Sequence, residues 1–259
     1  MDHFSLEDLK RSIEKLLDIV RCAVCLETVQ GEIVQCVNSH LLCGKCKTGL
    51  SDCPTCRQQF SEVRPCKNII QVIETLPAQC KHKRCQMYLR PNGDDHEKYC
   101  GFRIIDCKWC EWEGCAVDLL KHVKEQHPDD RIFTAETETV CLPGFDISKN
   151  THWFTPFYVH DQFFWEETFC DVISKLFVKT LHSVPINKPK DTFFWKIVLN
   201  STQTEFVSKI KLNLDPDVDL DDDEKSIYVP WKTVPNYINK KGNFTYNTHI
   251  TKMCSKSLT

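Results

Sequence analysis

Eight metal-binding residues fall within 35 residues near the N-terminus, and this feature most constrains the fold. They are Cys22, Cys25, Cys36, His40, Cys43, Cys46, Cys53 and Cys56. Two cysteines separated by two residues can reach one metal ion from a single tight turn, and three pairs here have that spacing. Sets of four sulfur and imidazole donors are typical of tetrahedral Zn²⁺.

These zinc sites are predicted to be structural. Two complete sets of four ligands leave no coordination position open for a reacting water molecule. The stretch also holds few apolar residues, so zinc binding must supply much of its folding free energy, on the order of 10 kcal/mol per site. Unrelated buried thiols or disulfides are the alternative, and three closely spaced pairs in one short stretch argue against it.

The order of the ligands resembles the C3HC4 RING finger, and Cys53-Pro54-Thr55-Cys56-Arg57 resembles the closing motif of RING ubiquitin ligases. Most RING fingers have one residue between the third cysteine and the histidine. The three residues between Cys36 and His40 are similar to the seven-in-absentia family. Spacing alone fits two sequential sites equally well. The resemblance implies interleaved sites, with zinc 1 held by Cys22, Cys25, Cys43 and Cys46, and zinc 2 by Cys36, His40, Cys53 and Cys56.

The same resemblance implies a role for three further residues. In that family the RING supplies no nucleophile and binds a ubiquitin-conjugating enzyme (E2) that carries ubiquitin as a thioester. By motif, the E2-binding surface maps onto Val24 and Pro54, and the catalytic linchpin, which bonds both ubiquitin and the E2, maps onto Arg57. The structural alternatives are that Val24 fills a turn, Pro54 rigidifies the zinc knuckle and Arg57 is a solvated charge.

Two helices are predicted to flank the RING. Apolar residues recur at helical spacing from residue 5 to residue 20, with Ser5 as the N-cap. We expect this helix to pack on the RING, although a dimer seam is an alternative. A second helix, Asn68 to Leu76, is ended by Pro77. The predicted domains are therefore an N-terminal helix (1–20), the RING finger (21–60) and a linker helix (61–79).

Residues 80–130 contain two more possible zinc sets, which are similar to the tandem zinc fingers of the seven-in-absentia family. Zinc 3 would be held by Cys80, Cys85, His96 and Cys100, and zinc 4 by Cys107, Cys110, His122 and His127. The first loop is shorter than in the family, which leaves His82 as a rival ligand. Cys115 is likewise a rival to Cys110. We expect His82 to be exposed to solvent and Cys115 to be an ordinary buried thiol.

From residue 131 onward, aromatic and β-branched runs replace the ligand pairs and predict an antiparallel sandwich. The start Cys141-Leu142-Pro143-Gly144 and the terminal stretch Gly242 to Thr251 resemble the TRAF-like substrate-binding domain of the family. That resemblance implies target binding and homodimerisation through residues 131–259. The predicted strands are Thr155 to Trp165, Thr168 to Val178, Asp191 to Leu199, Phe206 to Leu214, Ser226 to Trp231 and Phe244 to Thr251.

Composition excludes several other classes of protein. The net charge is −3, and residues 1–130 hold 18 Lys and Arg against 20 Asp and Glu, so the basic footprint of a nucleic-acid-binding protein is missing. The chain has no run of about 18 apolar residues that could span a membrane. The first residues carry no apolar signal segment, so we expect reduced thiols and a cytoplasmic or nuclear protein. The acidic run 215–224 mismatches a calcium-binding EF-hand loop and is predicted to be a solvated loop.

The sequence thus predicts a multidomain α+β protein with four structural Zn²⁺ ions. Its predicted function is that of a RING-type E3 ubiquitin ligase, which recruits an E2 carrying ubiquitin through the RING and target proteins through the sandwich, for proteasomal degradation. A ligase-inactive adaptor is an alternative, because residues 145–153 depart from the family pattern after Gly144. DNA recognition by the last finger is a weaker alternative, because such fingers act in arrays.

Overall fold

A computed structural model describes residues 5–29, 31–89, 95–217 and 225–253. The chain divides into two compact units, residues 1–80 with 86–94 and residues 81–85 with 95–259. Among the helices in the described ranges, none is both long enough and apolar enough to cross a membrane.

The first unit contains the predicted RING and its two flanking helices. Helix α1 begins after Ser5, whose hydroxyl accepts a hydrogen bond from the Asp8 N–H, while the Asp8 carboxylate accepts one from the Ser5 N–H. This reciprocal capping box confirms Ser5 as the N-cap. The elements are α1 (Leu6–Ile19), β1 (Ile33–Gln35), β2 (Leu41–Cys43), α2 (Gly44–Lys47), α3 (Lys67–Thr75), β3 (Ala78–Gln79) and β4 (Tyr88–Leu89). β1 pairs with β2 and β3 with β4, both antiparallel.

A small apolar core joins α1 and α3 to the RING. Leu17 of α1 and Val20 just after it are buried together with Leu42 of β2 and Ile73 of α3. The prediction that α1 packs on the RING is therefore confirmed. The RING hairpin consequently gains apolar burial from segments outside the eight-ligand window, in addition to what zinc binding contributes.

The second unit contains a small zinc-finger-like region and two larger sheets. Its first elements are α4 (His96–Tyr99), β5 (Ile104–Asp106), β6 (Glu113–Cys115), a 3₁₀ turn (Ala116–Asp118) and α5 (Leu119–Gln126). The remaining strands are β7 (Thr137–Leu142), β8 (Thr151–Val159), β9 (Gln162–Asp171), β10 (Leu176–Ser183), β11 (Thr192–Asn200), β12 (Glu205–Lys211), β13 (Ser226–Tyr228) and β14 (Phe244–Met253), with a 3₁₀ helix at Trp231–Tyr237. They form two antiparallel sheets, in the orders β13-β10-β9-β8 and β12-β11-β14-β7.

The apolar core of this sandwich lies between the two sheets. Because side chains alternate along a strand, every second side chain points away from this core, to the outer face of its sheet. Along β9, Phe164 and Cys170 are buried in the core with Trp195 and Phe244 of the facing sheet. Trp165, one position away from Phe164, joins a different apolar cluster with the zinc-finger-like region. The outer face of β13-β10-β9-β8 is thus partly covered by residues 105–132.

Two predicted strands were wrong in their extent. The stretch predicted as one strand from Thr155 to Trp165 is a hairpin, because His160 and Asp161 both have positive φ (56° and 59°) and turn the chain between β8 and β9. No glycine marks this turn, so the continuous aromatic pattern concealed it. The predicted strand Thr168 to Val178 is likewise divided by a turn after Asp171, whose carboxylate accepts the Ile173 N–H.

The acidic run can be described only in part. Asp215 forms an ion pair with Lys98, and Asp217 forms one with Arg103 at 2.6 Å. These two carboxylates therefore have cationic side chains as partners. Residues 218–224, the rest of the predicted solvated loop, lie outside the described residues.

Candidate metal centres

The RING ligands gather into two interleaved sets. In the first set, the ligand atoms of Cys22, Cys25, Cys43 and Cys46 lie within 4.8 Å of one another. The first and third cysteine pairs therefore meet, although the chain between them contributes Cys36 and His40 to the other set. This is the cross-braced arrangement that the resemblance implied.

The second set is formed by Cys36, His40, Cys53 and Cys56. The Cys36 Sγ lies 3.7 Å from the Cys56 Sγ and 3.4 Å from the His40 Nδ1. Two sulfurs bound to zinc at 2.3 Å with tetrahedral angles would lie about 3.8 Å apart, so these separations fit Zn²⁺. Cysteine and histidine supply all the donors, which matches a structural zinc site and not a calcium or magnesium site.

Backbone N–H groups prepare one thiol in each set for metal binding. Burial raises the pKa of the Cys22 thiol, but backbone N–H groups, led by that of Cys25, outweigh burial and bring the pKa down to about 7. Cys53 shows the same balance, with the Cys56 N–H as the leading donor and a pKa of about 7. Zinc binds the thiolate, so these turns favour the form of the ligand that the metal requires.

The third predicted set falls where the chain passes from the first unit to the second. Cys80 ends the first segment (residues 1–80) of the first unit, whereas Cys85, His96 and Cys100 belong to the second unit. Within the second unit the Cys85 Sγ lies 3.3 Å from the His96 Nε2. The rival His82 was expected to be exposed, and this was wrong: it is partly buried, and its Nε2 lies 2.9 Å from the carbonyl oxygen of Glu97.

The fourth set lies wholly within the second unit. The ligand atoms of Cys107, Cys110, His122 and His127 all lie within 4.8 Å of one another. The Cys110 Sγ is 3.3 Å from the His122 Nε2, and the Cys107 Sγ is 3.7 Å from the His127 Nε2. Burial, followed by the charge of His127, lowers the pKa of His122, which favours the neutral imidazole that zinc binds. Cys115 is a buried thiol outside the set, as expected.

Trp112 supports the fourth set, and sequence reasoning missed it. Its ring stacks on the His122 imidazole, with centroids 4.3 Å apart and planes at 14°. The position of Gly114 explains the fit, because a methyl group at Gly114 would overlap the Trp112 ring. The available signal was an aromatic residue and a glycine close after Cys110, inside the finger hairpin. The stack fixes the orientation of a metal-binding histidine.

The fourth set is anchored to the sandwich. The Trp109 indole N–H, between the two cysteine ligands, donates a hydrogen bond to the carbonyl oxygen of Phe154 at 3.0 Å. Its ring also packs edge-on against Trp165, with centroids 5.2 Å apart. Leu119 and Val123 of α5 are fully buried in the same cluster. A zinc ion in the fourth set would therefore hold together a finger that forms part of the apolar structure of this unit.

The three residues implied to contact the E2 all lie at the surface of the RING. Val24 is 45% exposed, so part of its side chain is accessible at the RING surface. Pro54 and Arg57 are also exposed, and the Arg57 guanidinium makes no hydrogen bond or ion pair with the described residues. The Arg57 backbone has φ 56°, and its N–H donates to the Cys53 carbonyl oxygen at 2.8 Å. Arg57 is thus fixed at the backbone by the zinc knuckle and free at its charged end.

Together these features define a class of protein, in which a zinc-bound RING finger precedes Cys/His zinc-binding clusters and an antiparallel β-sandwich. Comparison with known proteins indicates which family within this class the chain is similar to. A family profile described as "E3 ubiquitin-protein ligase sina/sinah, RING finger" matches residues 22–56. These are the residues from the first RING ligand to the last. The RING of this chain is therefore similar to that of the seven-in-absentia (sina) family, and the antiparallel sheets fit the TRAF-like sandwich of that family.

Similar proteins occur in animals and plants. The chain is 30% identical over 144 residues to the E3 ubiquitin-protein ligase siah-1 of Caenorhabditis briggsae, covering 53% of this chain and 32% of that protein. It is 27% identical over 147 residues to E3 ubiquitin-protein ligase siah2 of Xenopus laevis, covering 54% and 46%. It is 31% identical over 121 residues to E3 ubiquitin-protein ligase SINAT3 of Arabidopsis thaliana, covering 44% and 37%. The chain thus matches less than half the length of each of these relatives.

Proposed function

We propose that this protein is a RING-type E3 ubiquitin ligase that brings an E2 carrying ubiquitin to a target protein. The observation that carries the proposal is the complete cross-braced RING, which leaves Val24, Pro54 and Arg57 exposed on its surface. Each RING zinc would have four protein ligands, so zinc serves as structure and supplies no activated water. The matched relatives are named E3 ubiquitin-protein ligases, which supports the same activity here.

In this proposal the RING catalyses transfer by positioning. The E2 thioester is flexible, and holding ubiquitin and E2 in one reactive arrangement removes entropy from the barrier, which can be worth several kcal/mol. Arg57 is suited to this role because its guanidinium has a planar fork of donors that can bond two partners at once. Its side chain has no partner among the described residues, so binding would break no existing ion pair.

The test is discharge of ubiquitin from a purified E2 to free lysine, measured with the zinc-loaded full chain. Arg57→Ala is expected to slow discharge strongly while the zinc content stays normal. Arg57→Lys keeps the charge but lacks the fork, so it should restore only part of the rate. Arg64→Ala removes another exposed arginine of the same unit and serves as the matched control. Normal discharge by Arg57→Ala at full zinc loading would exclude Arg57 as the linchpin.

The sandwich is proposed to bind the target protein. Among the described strands, β7, β8, β12 and β13 lie at sheet edges, where an extended peptide can add main-chain hydrogen bonds. Ubiquitinated targets would then be degraded by the proteasome. The family resemblance also supports a homodimer. Thiols that bind zinc must stay reduced, which supports a cytoplasmic or nuclear location. Sedimentation of the zinc-loaded chain would test the first, and fluorescence microscopy of the tagged protein would test the second.

A further inference from the structure

Basic side chains form a row across the outer face of the sheet β12-β11-β14-β7. The neighbours of Lys196 in β11 are buried in the core, so Lys196 itself points to the outer face. Lys209 of β12 lies directly opposite Lys196 on one side, and His249 of β14 lies directly opposite it on the other. Lys211, two residues further along β12, points to the same face. We call Lys196, Lys209, Lys211 and His249 the basic row.

The lysines of the basic row have no acidic partner among the described residues. Of the described strand residues that point to this face, Glu205 alone has a carboxylate, and it lies four residues from Lys209, roughly 13 Å along β12. The Lys209 ammonium instead lies 4.8 Å from the centre of the Phe194 ring. Burial, followed by the charge of Lys196, lowers the pKa of His249. The positive charges of the row therefore act on one another.

The outer face of the other sheet, β13-β10-β9-β8, has the opposite arrangement. There His152 and His182 each place Nε2 beside the carboxylate of Glu167, at 2.5 Å and 2.7 Å. The hydrogen bond from His182, opposed by burial and assisted by His152, lowers the pKa of Glu167. These basic groups have their acidic partner within the protein, whereas the basic row leaves its positive charge available to a ligand.

Such a row needs an explanation, because like charges directly opposite each other in a sheet are destabilising. Lysines on an edge strand protect a sheet against aggregation, and this would explain Lys209 and Lys211 of β12. It does not explain Lys196, which lies on β11 between two other strands. Local departures from stable arrangements are expected at functional sites, and a partner with negative charge would remove the repulsion.

The strand β12 also has a free main-chain edge. The Leu212 N–H donates to the Phe193 carbonyl oxygen across the pair of β11 and β12. Because the bonds of an antiparallel pair alternate, Val207, Lys209 and Lys211 direct their N–H and C=O groups away from β11. These groups make no hydrogen bond with the described residues. An extended peptide can therefore bond to β12 as an additional strand.

The other edges of the sandwich suit an acidic peptide less well. At β8 the Phe133 N–H donates to the Pro156 carbonyl oxygen, and the Phe133 carbonyl oxygen accepts the Tyr158 N–H. The Phe154 carbonyl oxygen already accepts the Trp109 indole N–H. The strand β13 has three residues, and β7 carries no basic residue. A free edge and a row of lysines thus coincide at β12.

We propose that β12 binds an acidic, extended segment of a target protein as an additional strand of its sheet. Directly opposite residues of neighbouring strands have Cβ atoms about 4.5–5.5 Å apart, so carboxylates of the segment can pair with Lys209 and Lys211. Since these lysines are two positions apart, the segment carries acidic residues at alternate positions. An aliphatic residue at the next alternate position lies opposite Val207, which is 48% exposed. Lys196 adds positive charge one strand further in.

A peptide fits this site better than a nucleic acid or an anionic membrane. Phosphates can pair with lysines, but neither of these ligands completes the main-chain hydrogen bonds of β12. The net charge of −3 also opposes the binding of a polyanion. The assignment of the acidic segment to a target protein rests on the proposed ligase function, whereas the binding itself does not.

The test is a nuclear magnetic resonance titration of the ¹⁵N-labelled, zinc-loaded full chain. The probe is a peptide with blocked ends, in which two glutamates and one valine occupy successive alternate positions between threonines. We expect the probe to shift the amide signals of Val207, Lys209 and Lys211 saturably and to slow their hydrogen exchange. A control peptide of the same composition has its glutamates adjacent, on opposite faces of the strand. It should bind at least about tenfold more weakly.

Charge reversal tests the basic row. Lys209→Glu places opposite charges across the pair with Lys196, so the free protein should be at least as stable as the wild type. The same variant should bind the glutamate probe at least about tenfold more weakly and should bind a probe with lysines in place of the glutamates. Lys232→Gln removes an exposed lysine outside the sheet and should leave probe binding unchanged. Loss of stability in Lys209→Glu would contradict the repulsion in the row.

Proline substitution tests the main-chain edge. Val207→Pro removes an N–H that points away from β11, and it should abolish binding of the probe without breaking a bond within the sheet. Thr139→Pro makes the matched change on the open edge of β7 and should leave binding unchanged. If Val207→Pro or Lys209→Glu misfolds, the two peptides of equal composition decide with the wild-type chain. Equal binding of these two peptides would overturn the proposal, as would tighter binding of duplex DNA or phosphatidylserine vesicles at the same lysines.

The titration is independent of the ligase proposal. It needs neither E2 nor ubiquitin, whereas ubiquitin discharge to free lysine needs no target protein. Failure of the probe to bind would overturn the peptide site and leave discharge, and thus the ligase proposal, intact. Failure of discharge with every E2 would leave a measured peptide site on a protein without ligase activity.

Discussion

Lys179 lies inside the sandwich with no exposed surface, and its replacement by methionine should lower the free energy of unfolding by an amount that can be predicted. Its ammonium group is 2.6 Å from the Glu166 carboxylate and 2.8 Å from the Thr168 hydroxyl. Both members of the ion pair are fully buried. The Tyr246 hydroxyl also donates to Glu166, and the ammonium lies 3.7 Å from the centre of the Tyr246 ring. Burial lowers the pKa of Lys179, and the attraction of Glu166 opposes this shift.

Lys179→Met keeps an unbranched side chain of similar length but leaves the Glu166 charge without its counter-ion. Removing one partner of a buried ion pair typically costs about 3–5 kcal/mol. Other groups would compensate the unpaired Glu166 charge poorly, because the second oxygen of Glu166 has no hydrogen-bond partner among the described residues. The double variant Lys179→Met with Glu166→Gln removes both charges and keeps an acceptor for Tyr246. It should recover most of the lost stability.

Hydrogen exchange by mass spectrometry measures this effect in the full chain, which need not unfold in a single step. Amides of β9 and β10 should exchange on the order of a hundred- to several thousand-fold faster in Lys179→Met, since each 1.4 kcal/mol corresponds to tenfold. Lys149→Met, which breaks an exposed ion pair with Asp146, should leave these amides unchanged. Equal exchange in the two single variants would refute the reasoning, as would a double variant less stable than Lys179→Met.

Three further predictions concern zinc and pH. Cys46→Ser should release both RING zinc ions, because the two sites share interleaved chain segments; loss of only one ion by elemental analysis would contradict this coupling. Gly114→Ala should displace Trp112 from His122, cost about 1–3 kcal/mol and speed zinc release to a chelator, whereas Glu113→Ala should do neither. Glu167 has a pKa below its ordinary 4.5, so its contribution to stability is complete above that pH and is lost as pH falls through the lower folded value. Glu167→Gln should therefore show a smaller loss of stability in acid; an unchanged acid limb in denaturant titrations would disprove this.

The zinc sites and the first helix could be predicted because their determinants are local. A cysteine pair separated by two residues forms its turn within a few residues, and the Ser5 capping box spans four positions. The pairing of the RING ligands, in contrast, could not be predicted from local spacing. The same eight residues fit sequential sites, so the interleaved choice needed a family resemblance before the structure placed Cys43 beside Cys22.

Less of the sandwich could be predicted from the sequence. Its aromatic and β-branched composition predicted strands, but the turn at His160 and Asp161 carries no glycine or proline signal. Charged residues usually lie at the surface, and nothing in the residues that neighbour Lys179 and Glu166 in the sequence reveals that both point into the core.

Residue order by itself determined which side chains can bind zinc, where the first helix begins and that the C-terminal part is rich in strands. Each of these depends on residues a few positions apart. Only the tertiary structure decided how the RING pairs interleave, which charges are buried and where the finger meets the sheet. These features bring together residues that are distant in the chain, such as Tyr246 and Glu166 or Trp109 and Phe154. Their contacts stabilise the protein only after folding has overcome the entropic cost of closing the long loops between them.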